Sequence, residues 1–327
     1  MEPRQFTGID DADEGRYLKT RNFDSIVDLV VAKSPLQKKK LRSYLARRDA
    51  GFMEEAESFA TDYCGYLDSQ KIPLEYAVSA YLEMCAMMMR CQIEFMKTGS
   101  YTIQEHSQAF EETYSNKERM TSYMIGLAIS QFLWETHYEI FKSFERATET
   151  YCLTVDSYLE IGPGHGLYLH KAMKVLKPHA RIKVIDISPV SIEITKSIMA
   201  HFHPQRTSIS YCTDDILKYD TDERFGFIVM GEVLEHINVP QPVLIKLNKL
   251  LEADGRAFVS TAINSPAVDH VYHFKSVDDV RVMIRNAGLQ IENELVLPVE
   301  DLPMKEIVEK KITINYCAVL KKETGHE

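Results

Sequence analysis

Several things are scarce in this 327-residue sequence, and each scarcity removes a class of protein. No apolar run approaches the ~18 residues of a membrane span, and the polar, acidic stretch from Met1 to Asn22 lacks the apolar core of a signal peptide. The expectation is a cytoplasmic protein with no membrane partner. Cysteine is sparse and scattered: Cys64, Cys85, Cys91, Cys152, Cys212 and Cys317 form no C-x-x-C pair, which speaks against a zinc knuckle or disulfide frame and for reduced, buried thiols. Positive charge is in deficit. With 38 Lys and Arg against 48 Asp and Glu, the net charge of −10 presents a repulsive mean field to a polyanion, so no nucleic-acid partner is expected. The one dense basic stretch, Lys38 to Lys40 with Arg42, Arg47 and Arg48, reads as a solvated helix face. Repeats and low-complexity segments are also absent. What remains is a chain of ordinary hydrophobic content, 45%, long enough for two domains.

Before about residue 150 the patterning is helical. Ser79 to Met96 keeps apolar residues at helical spacing and carries Met84, Met87, Met88, Met89 and Met96, a stripe read as core filler, although methionine also lines adaptable pockets; Gly99 reads as the stop. A second long helix is expected over Tyr123 to Phe144, with the sole tryptophan, Trp134, near His137 and Tyr138, as a lid or as packing. After residue 150 short apolar runs at Ser157 to Ile161, Ile182 to Ile187, Ser208 to Cys212, Phe225 to Met230 and Ala257 to Ala262 alternate with helical segments. That rhythm predicts an α/β fold, a Rossmann-like, doubly wound, mostly parallel sheet. Ile291 to Leu297 and Ile312 to Leu320 leave little room for a crossover and read as an antiparallel closure, and Ser276 with Asp279 and Gly288 bracket a helix before them. Two domains are therefore expected: an all-helical one over 1–150 and an α/β one over 151–327.

The first run of the second part leads into "LEIGPGHG", with Gly162, Gly164 and Gly166. This is G-x-G-x-G rather than the dinucleotide fingerprint G-x-G-x-x-G/A, and Glu160 ends the strand where a pyrophosphate would lie nearby. A buried carboxylate beside phosphate charge is costly, whereas a ligand with a cationic end removes the conflict. S-adenosylmethionine, with its sulfonium and ammonium, is such a ligand. The motif resembles the first motif of the class I S-adenosylmethionine-dependent methyltransferases, acid-x-Gly-x-Gly-x-Gly. The resemblance implies that Glu160, Gly162, Pro163, Gly164 and Gly166 form the loop around the methionine and adenosine portions.

Later motifs follow the same order. "KVIDIS" places Asp186, with Ile187 beside it, twenty residues past Gly166, where an acid accepts hydrogen bonds from ribose hydroxyls; Ser188 and Pro189 start the next helix. In "YCTDDIL" the resemblance implies an adenine contact from Asp215, with Asp214 as the neighbouring alternative and Ile216 covering the ring.

"MGEVLEHI" at the end of the fourth strand resembles a segment of small-molecule methyltransferases, including the ubiquinone-pathway O-methyltransferases. Gly231 would permit close approach to the cofactor, and Glu232 could face its methionine end. Glu232, Glu235 and His236 also resemble the metal-binding segment of small-RNA end methyltransferases, completed there by a further histidine, for which His270 or His273 would serve. The bare motif also occurs in metal-free relatives, and no metal is expected here. The competing reading makes His236, His270 or His273 a general base, with Glu235 in the catalytic group and Asp269 orienting His270 or His273. The methyl moves by in-line displacement, so the protein's task is alignment and exclusion of water.

The sequence thus predicts S-adenosylmethionine-dependent methyl transfer to a small molecule, oxygen favoured over nitrogen or carbon. The helical domain would shape the acceptor pocket and a homodimer interface. The alternatives are a non-catalytic methyltransferase-like binding module, or an RNA or protein methyltransferase using a divalent metal.

Overall fold

The computed structural model describes residues 21–101 and 116–323; the first twenty residues of the polar N-terminal stretch lie outside the described residues. The chain divides into two compact units, Met1–Val78 and Ser79–Glu327. The boundary falls inside a helix, so the helices after Ser79 belong to the same unit as the sheet.

The first unit holds α1 (Arg21–Lys33), α2 (Pro35–Leu45) and α3 (Ala50–Ser69). Phe23, Ile26 and Val30 of α1 and Phe52, Ala56 and Ala60 of α3 are buried at helical spacing. The Glu57 carboxylate accepts from the Asn22 and Phe23 backbone N–H groups at 3.1 and 2.9 Å, satisfying donors that open the first turn of α1. Lys38, Lys39 and Lys40 are exposed on α2, the solvated face read from the sequence.

α4 (Leu74–Thr98) carries the boundary and stops at Gly99, whose φ of +71° ends the helix as expected. Instead of one helix over Tyr123 to Phe144 there are two, α5 (Lys117–Leu133) and α6 (Glu135–Tyr151). Trp134 is extended between them (φ −115°, ψ 125°), and its indole N–H donates to the Tyr81 hydroxyl at 2.8 Å. Apolar periodicity runs through the break because Phe132 and Leu133 before it and Tyr138, Phe141 and Phe144 after it are all buried, so the pattern alone could not reveal the bend.

The sheet has seven strands: β1 (Ser157–Ile161), β2 (Arg181–Asp186), β3 (Ile209–Thr213), β4 (Phe225–Gly231), β5 (Leu251–Ile263), β6 (Leu289–Pro298) and β7 (Ile314–Lys322). The order is β3-β2-β1-β4-β5-β7-β6, with β1 to β5 parallel and β7 antiparallel to both β5 and β6. The antiparallel closure expected from the last two runs is therefore present, with β7 inserted between β5 and β6. Crossovers include α7 (Leu167–Ala172), α8 (Pro189–Phe202) and α9 (Gln241–Leu250); α10 (Val277–Asn286) precedes β6 and α11 (Met304–Glu309) precedes β7. α8 starts with Ser188 accepting from the Ser191 N–H, and α10 with a complete Ser276–Asp279 capping box. β1 and β4 are buried along their length except for Gly231, as suits strands covered on both faces. Among the described residues no helix is long and apolar enough to cross a membrane.

Candidate active site

The strand order reverses between β1 and β4, and ligands of open α/β sheets bind beyond the carboxyl ends of strands at such a point. A cavity of about 800 Å³ opens there, walled on one side by the strand ends and on the other by α4, α5 and the start of α6. Gly162, Pro163 and Gly164 line it. Gly162, Gly164 and Gly166 have φ of +68°, +53° and +71°, so all three turns need glycine. They do different work. A Cβ on Gly162 would lie 2.6 Å from Val233 Cγ2, whereas one on Gly166 would press on the Thr195 backbone of α8 at 3.3 Å, so the third glycine serves helix packing and does not line the cavity.

Glu160 lies deeper than the sequence implied. It is 1% exposed and absent from the cavity wall; the Tyr158 hydroxyl donates to its Oε2 at 2.5 Å, and Oε1 has no partner among the described residues. Burial outweighs the hydrogen bonds and pushes its carboxyl up to about 8.

Asp186 does face the cavity. Its Oδ1 accepts from the Ser188 N–H at 2.7 Å, fixing the carboxylate, while burial raises its pKa to about 6. Asp214 and Asp215 line the wall beyond β3, and each also braces its own turn: Asp214 Oδ1 accepts from Asp215 N–H and Asp215 Oδ1 from Leu217 N–H, at 2.8 and 3.0 Å. Around them Ile187, Ile216 and Leu217 offer apolar surface.

The end of β4 carries the densest chemistry. Gly231 admits the Tyr168 ring, since a Cβ there would lie 2.6 Å from Cε2. Glu232 takes φ +53°, strained for a non-glycine residue, and its N–H donates to the Ser260 carbonyl at 3.1 Å. That turn puts the Glu232 carboxyl in the cavity wall with Oε1 unpartnered. Glu235 is fully buried, accepts from the Thr261 hydroxyl at 2.7 Å and stands outside the wall. Burial, then the adjacent Glu232, raises its carboxyl well above the usual carboxylate range.

His236, in the short 3-10 turn Leu234–His236, donates from Nδ1 to the Asp269 carbonyl at 2.9 Å, with the Asp269 carboxylate 3.6 Å from the same nitrogen. His270 likewise donates from Nδ1 to the Ser265 carbonyl at 2.6 Å, and its ring meets that of His236 edge-on at 4.8 Å. A carbonyl only accepts, so each ring carries a proton on Nδ1, and the neutral form of either ring has its lone pair on Nε2. Burial, then the neighbouring His236, lowers His270 to about 4.

A methyltransferase-domain family model matches residues 133–294, the segment from the end of α5 through the glycine corner and the β4 cluster into β6. The ubiquinone biosynthesis O-methyltransferase of Candida albicans, described as mitochondrial, is 34% identical over 103 residues, 32% of this chain and 31% of that protein. Its Xanthomonas euvesicatoria counterpart is 24% identical over 181 residues, 49% of this chain and 73% of that protein. Less than a third of the first relative's length is therefore spanned. Among solved structures, a mitomycin 7-O-methyltransferase shares the fold with a TM-score of 0.52 at 10% identity, covering 76% of this chain and 70% of that one.

Residues 133–294 are therefore a methyltransferase domain of the class I S-adenosylmethionine-dependent kind.

The cofactor of the methyltransferase is accordingly S-adenosylmethionine. Of the residues marked from the sequence, Gly162, Pro163, Gly164, Asp186, Ile187, Asp214, Asp215, Ile216, Gly231, Glu232, His236 and His270 line one cavity, and Glu160, Gly166, Glu235 and His273 do not. His273 Nε2 meets Asn264 Oδ1 at 2.8 Å, with the ring packed on Phe95 and Tyr101. Asp269, expected beside His270 or His273, meets His236 through its backbone carbonyl and its carboxylate. Met88 and Met89 reach the cavity while Met84 is core, so the methionine stripe serves both uses. Sequence reasoning missed Gln131, His165 and Tyr168; His165, between two motif glycines, was the legible one.

Proposed function

We propose that the methyltransferase methylates a hydroxyl of a small, largely apolar acceptor held in the cavity, with His236 taking the hydroxyl proton. The observation that carries this is the Asp269–His236 pair at the strand ends: the proton is fixed on Nδ1 and a carboxylate stands by to stabilise the imidazolium as it forms. His270, its basicity depressed, is a neutral wall against the His236 ring.

S-adenosylmethionine supplies an electrophilic methyl on a positively charged sulfur. Asp186 would accept from its ribose hydroxyls, and the unpartnered Glu232 oxygen would face its cationic methionine end. Ile187, Ile216 and Leu217 would flank its purine, with Asp214 or Asp215 at the exocyclic amine. Methionine and aromatic side chains from α4, α5 and Trp134 would cover the acceptor and exclude water. Oxygen is favoured because the curated relatives are named O-methyltransferases. The reading extends to a cytoplasmic enzyme and a homodimer formed through the helices.

One observation favours a metal-assisted variant of the same reaction. Glu235, His236 and His270 each offer a ligand atom, all within 4.8 Å of one another, a donor set that iron, zinc or manganese accepts. An ion there would acidify the acceptor hydroxyl. A ligating carboxyl must be deprotonated, so with Glu235 raised above its usual range affinity would rise with pH.

The test is transfer from methyl-labelled S-adenosylmethionine into the small-molecule fraction of a source-cell extract, with and without chelator. Wild type should label a product and His236→Asn should lose about 10²- to 10⁴-fold in rate while still binding S-adenosylhomocysteine. Full activity in His236→Asn would reject the base; binding without any labelled product would favour a non-catalytic module.

A further inference from the structure

Between β5 and α10 the chain makes a loop, Asn264 to Phe274, that supplies both groups standing against the proposed base. It carries Asp269, whose carbonyl accepts from His236 Nδ1, and His270, whose ring meets that of His236 edge-on at 4.8 Å. How the loop is held therefore sets where the His236 ring points.

The base of the loop is closed by the Asn264 N–H, which donates to the Phe274 carbonyl at 3.0 Å, while the Asn264 carbonyl accepts from the Thr313 hydroxyl at 2.9 Å. The far limb is tied to the end of β4: the Val271 and Tyr272 N–H groups both donate to the Glu235 carbonyl at 2.9 Å. The near limb is tied to the end of α4 instead. The Ser265 N–H donates to the Tyr101 hydroxyl oxygen at 2.8 Å, and the Ser265 carbonyl accepts from His270 Nδ1 at 2.6 Å. The backbone of one residue thus joins Tyr101 to His270, and neither bond involves the serine side chain.

Tyr101 is itself fixed. It follows the Gly99 stop of α4 and is 6% exposed, its ring packed edge-on against Phe95 at 5.5 Å and tilted against His273 at 4.8 Å between centroids. An enclosed ring has little freedom to swing, so its oxygen is delivered at one point. Phenylalanine would fill the same space and leave the Ser265 N–H without this acceptor. Tyr101 does not line the cavity, so whatever it does for the reaction it does through Ser265. Asp186, Glu232 and the glycine corner lie outside the loop, so loosening the near limb would misaim the base without releasing the cofactor.

We infer that Tyr101 is a positioning residue for methyl transfer: its hydroxyl clamps the Ser265 peptide, which holds the His270 ring against His236 and so aims the base at the acceptor. This deepens the proposed function and rests on His236 as that base.

The test compares wild type, Tyr101→Phe, His236→Asn and the double variant, each as the full chain, by the initial rate of label transfer from methyl-labelled S-adenosylmethionine into the small-molecule fraction of a source-cell extract. Tyr101→Phe should lose about 10- to 100-fold in rate, the upper figure being the cost of misplacing a reacting group by about 1 Å, while its S-adenosylhomocysteine affinity by calorimetry stays at the wild-type value. In the His236→Asn background the same substitution should change the rate by about twofold at most, because nothing remains to be aimed. Hydrogen–deuterium exchange over 264–274 should quicken in Tyr101→Phe. A merely structural role would lower the rate equally in both backgrounds. That outcome, a wild-type rate in Tyr101→Phe, unchanged loop exchange, or lost S-adenosylhomocysteine binding in Tyr101→Phe overturns the positioning role alone. Full activity in His236→Asn, or no labelled product from wild type, overturns the proposed function and this inference with it.

Discussion

Replacing Glu160 by glutamine should make the protein more stable at alkaline pH while leaving it nearly unchanged at pH 5. The side chain is 1% exposed, and glutamine can still accept from the Tyr158 hydroxyl. The native carboxyl is raised from 4.5 to about 8, chiefly by burial. A carboxyl raised in the folded state contributes stability that is fully present below the unfolded value and is lost as pH rises through the folded one. The window is therefore from 4.5 to about 8. Each unit is worth about 1.4 kcal/mol, so the three units between pH 5 and pH 8 set a ceiling of about 4 kcal/mol on the advantage of Glu160→Gln at pH 8. Urea unfolding followed by fluorescence of Trp134, the sole tryptophan, reports on the unit that contains Glu160. The difference between variant and wild type should grow steadily from pH 5 to pH 8. A flat difference, or a variant that is less stable at pH 8, would refute a buried, proton-holding Glu160.

Asp186→Ala should weaken S-adenosylhomocysteine binding about 10- to 100-fold, the scale of a charged hydrogen-bonding group, and wild-type affinity should decline as pH falls through about 6, where the free carboxylate takes up a proton; calorimetry checks both. Gly231→Ala should destabilise the chain by about 1–3 kcal/mol, the usual scale of overpacking, because its Cβ would press on Tyr168 at 2.6 Å, and urea midpoints would show it. On the acid side, His137, His165 and His270 are lowered to about 4 and His170 to about 3, so the unfolded chain gains protons that the native one refuses. Thermal midpoints should therefore fall as pH drops from 6.5 toward 4.

The parallel strands were legible because each is a short buried run between turn residues. β1 matches the expected span residue for residue, and β2 to β4 are displaced by a residue at most. β5 begins six residues earlier than expected since Glu252, Asp254 and Gly255 read as loop; there the β4–β5 register shifts between Phe225 and Phe227. The cofactor side of the site was equally readable, because its residues sit at strand ends in a fixed chain order. Glu160 was not, since a motif says which residue is present but not which way it points. Alternation along β1 brings Glu160 to the side of Tyr158, whose hydroxyl then holds it inside. On the acceptor side the capping helix was legible, since Tyr123, Trp134 and His137 all line the cavity, but Gln131 was not, because the visible pattern around it is apolar, and the bend at Trp134 leaves no mark in that pattern.

The most direct test of the whole account is a crystal structure of the chain with S-adenosylhomocysteine. The account predicts ribose hydroxyls on Asp186, the methionine end beside Gly164 and Glu232, and the sulfur facing the volume between His236 and Gln131. Density for the ligand outside this cavity, or inside it with the ribose remote from Asp186, would contradict it.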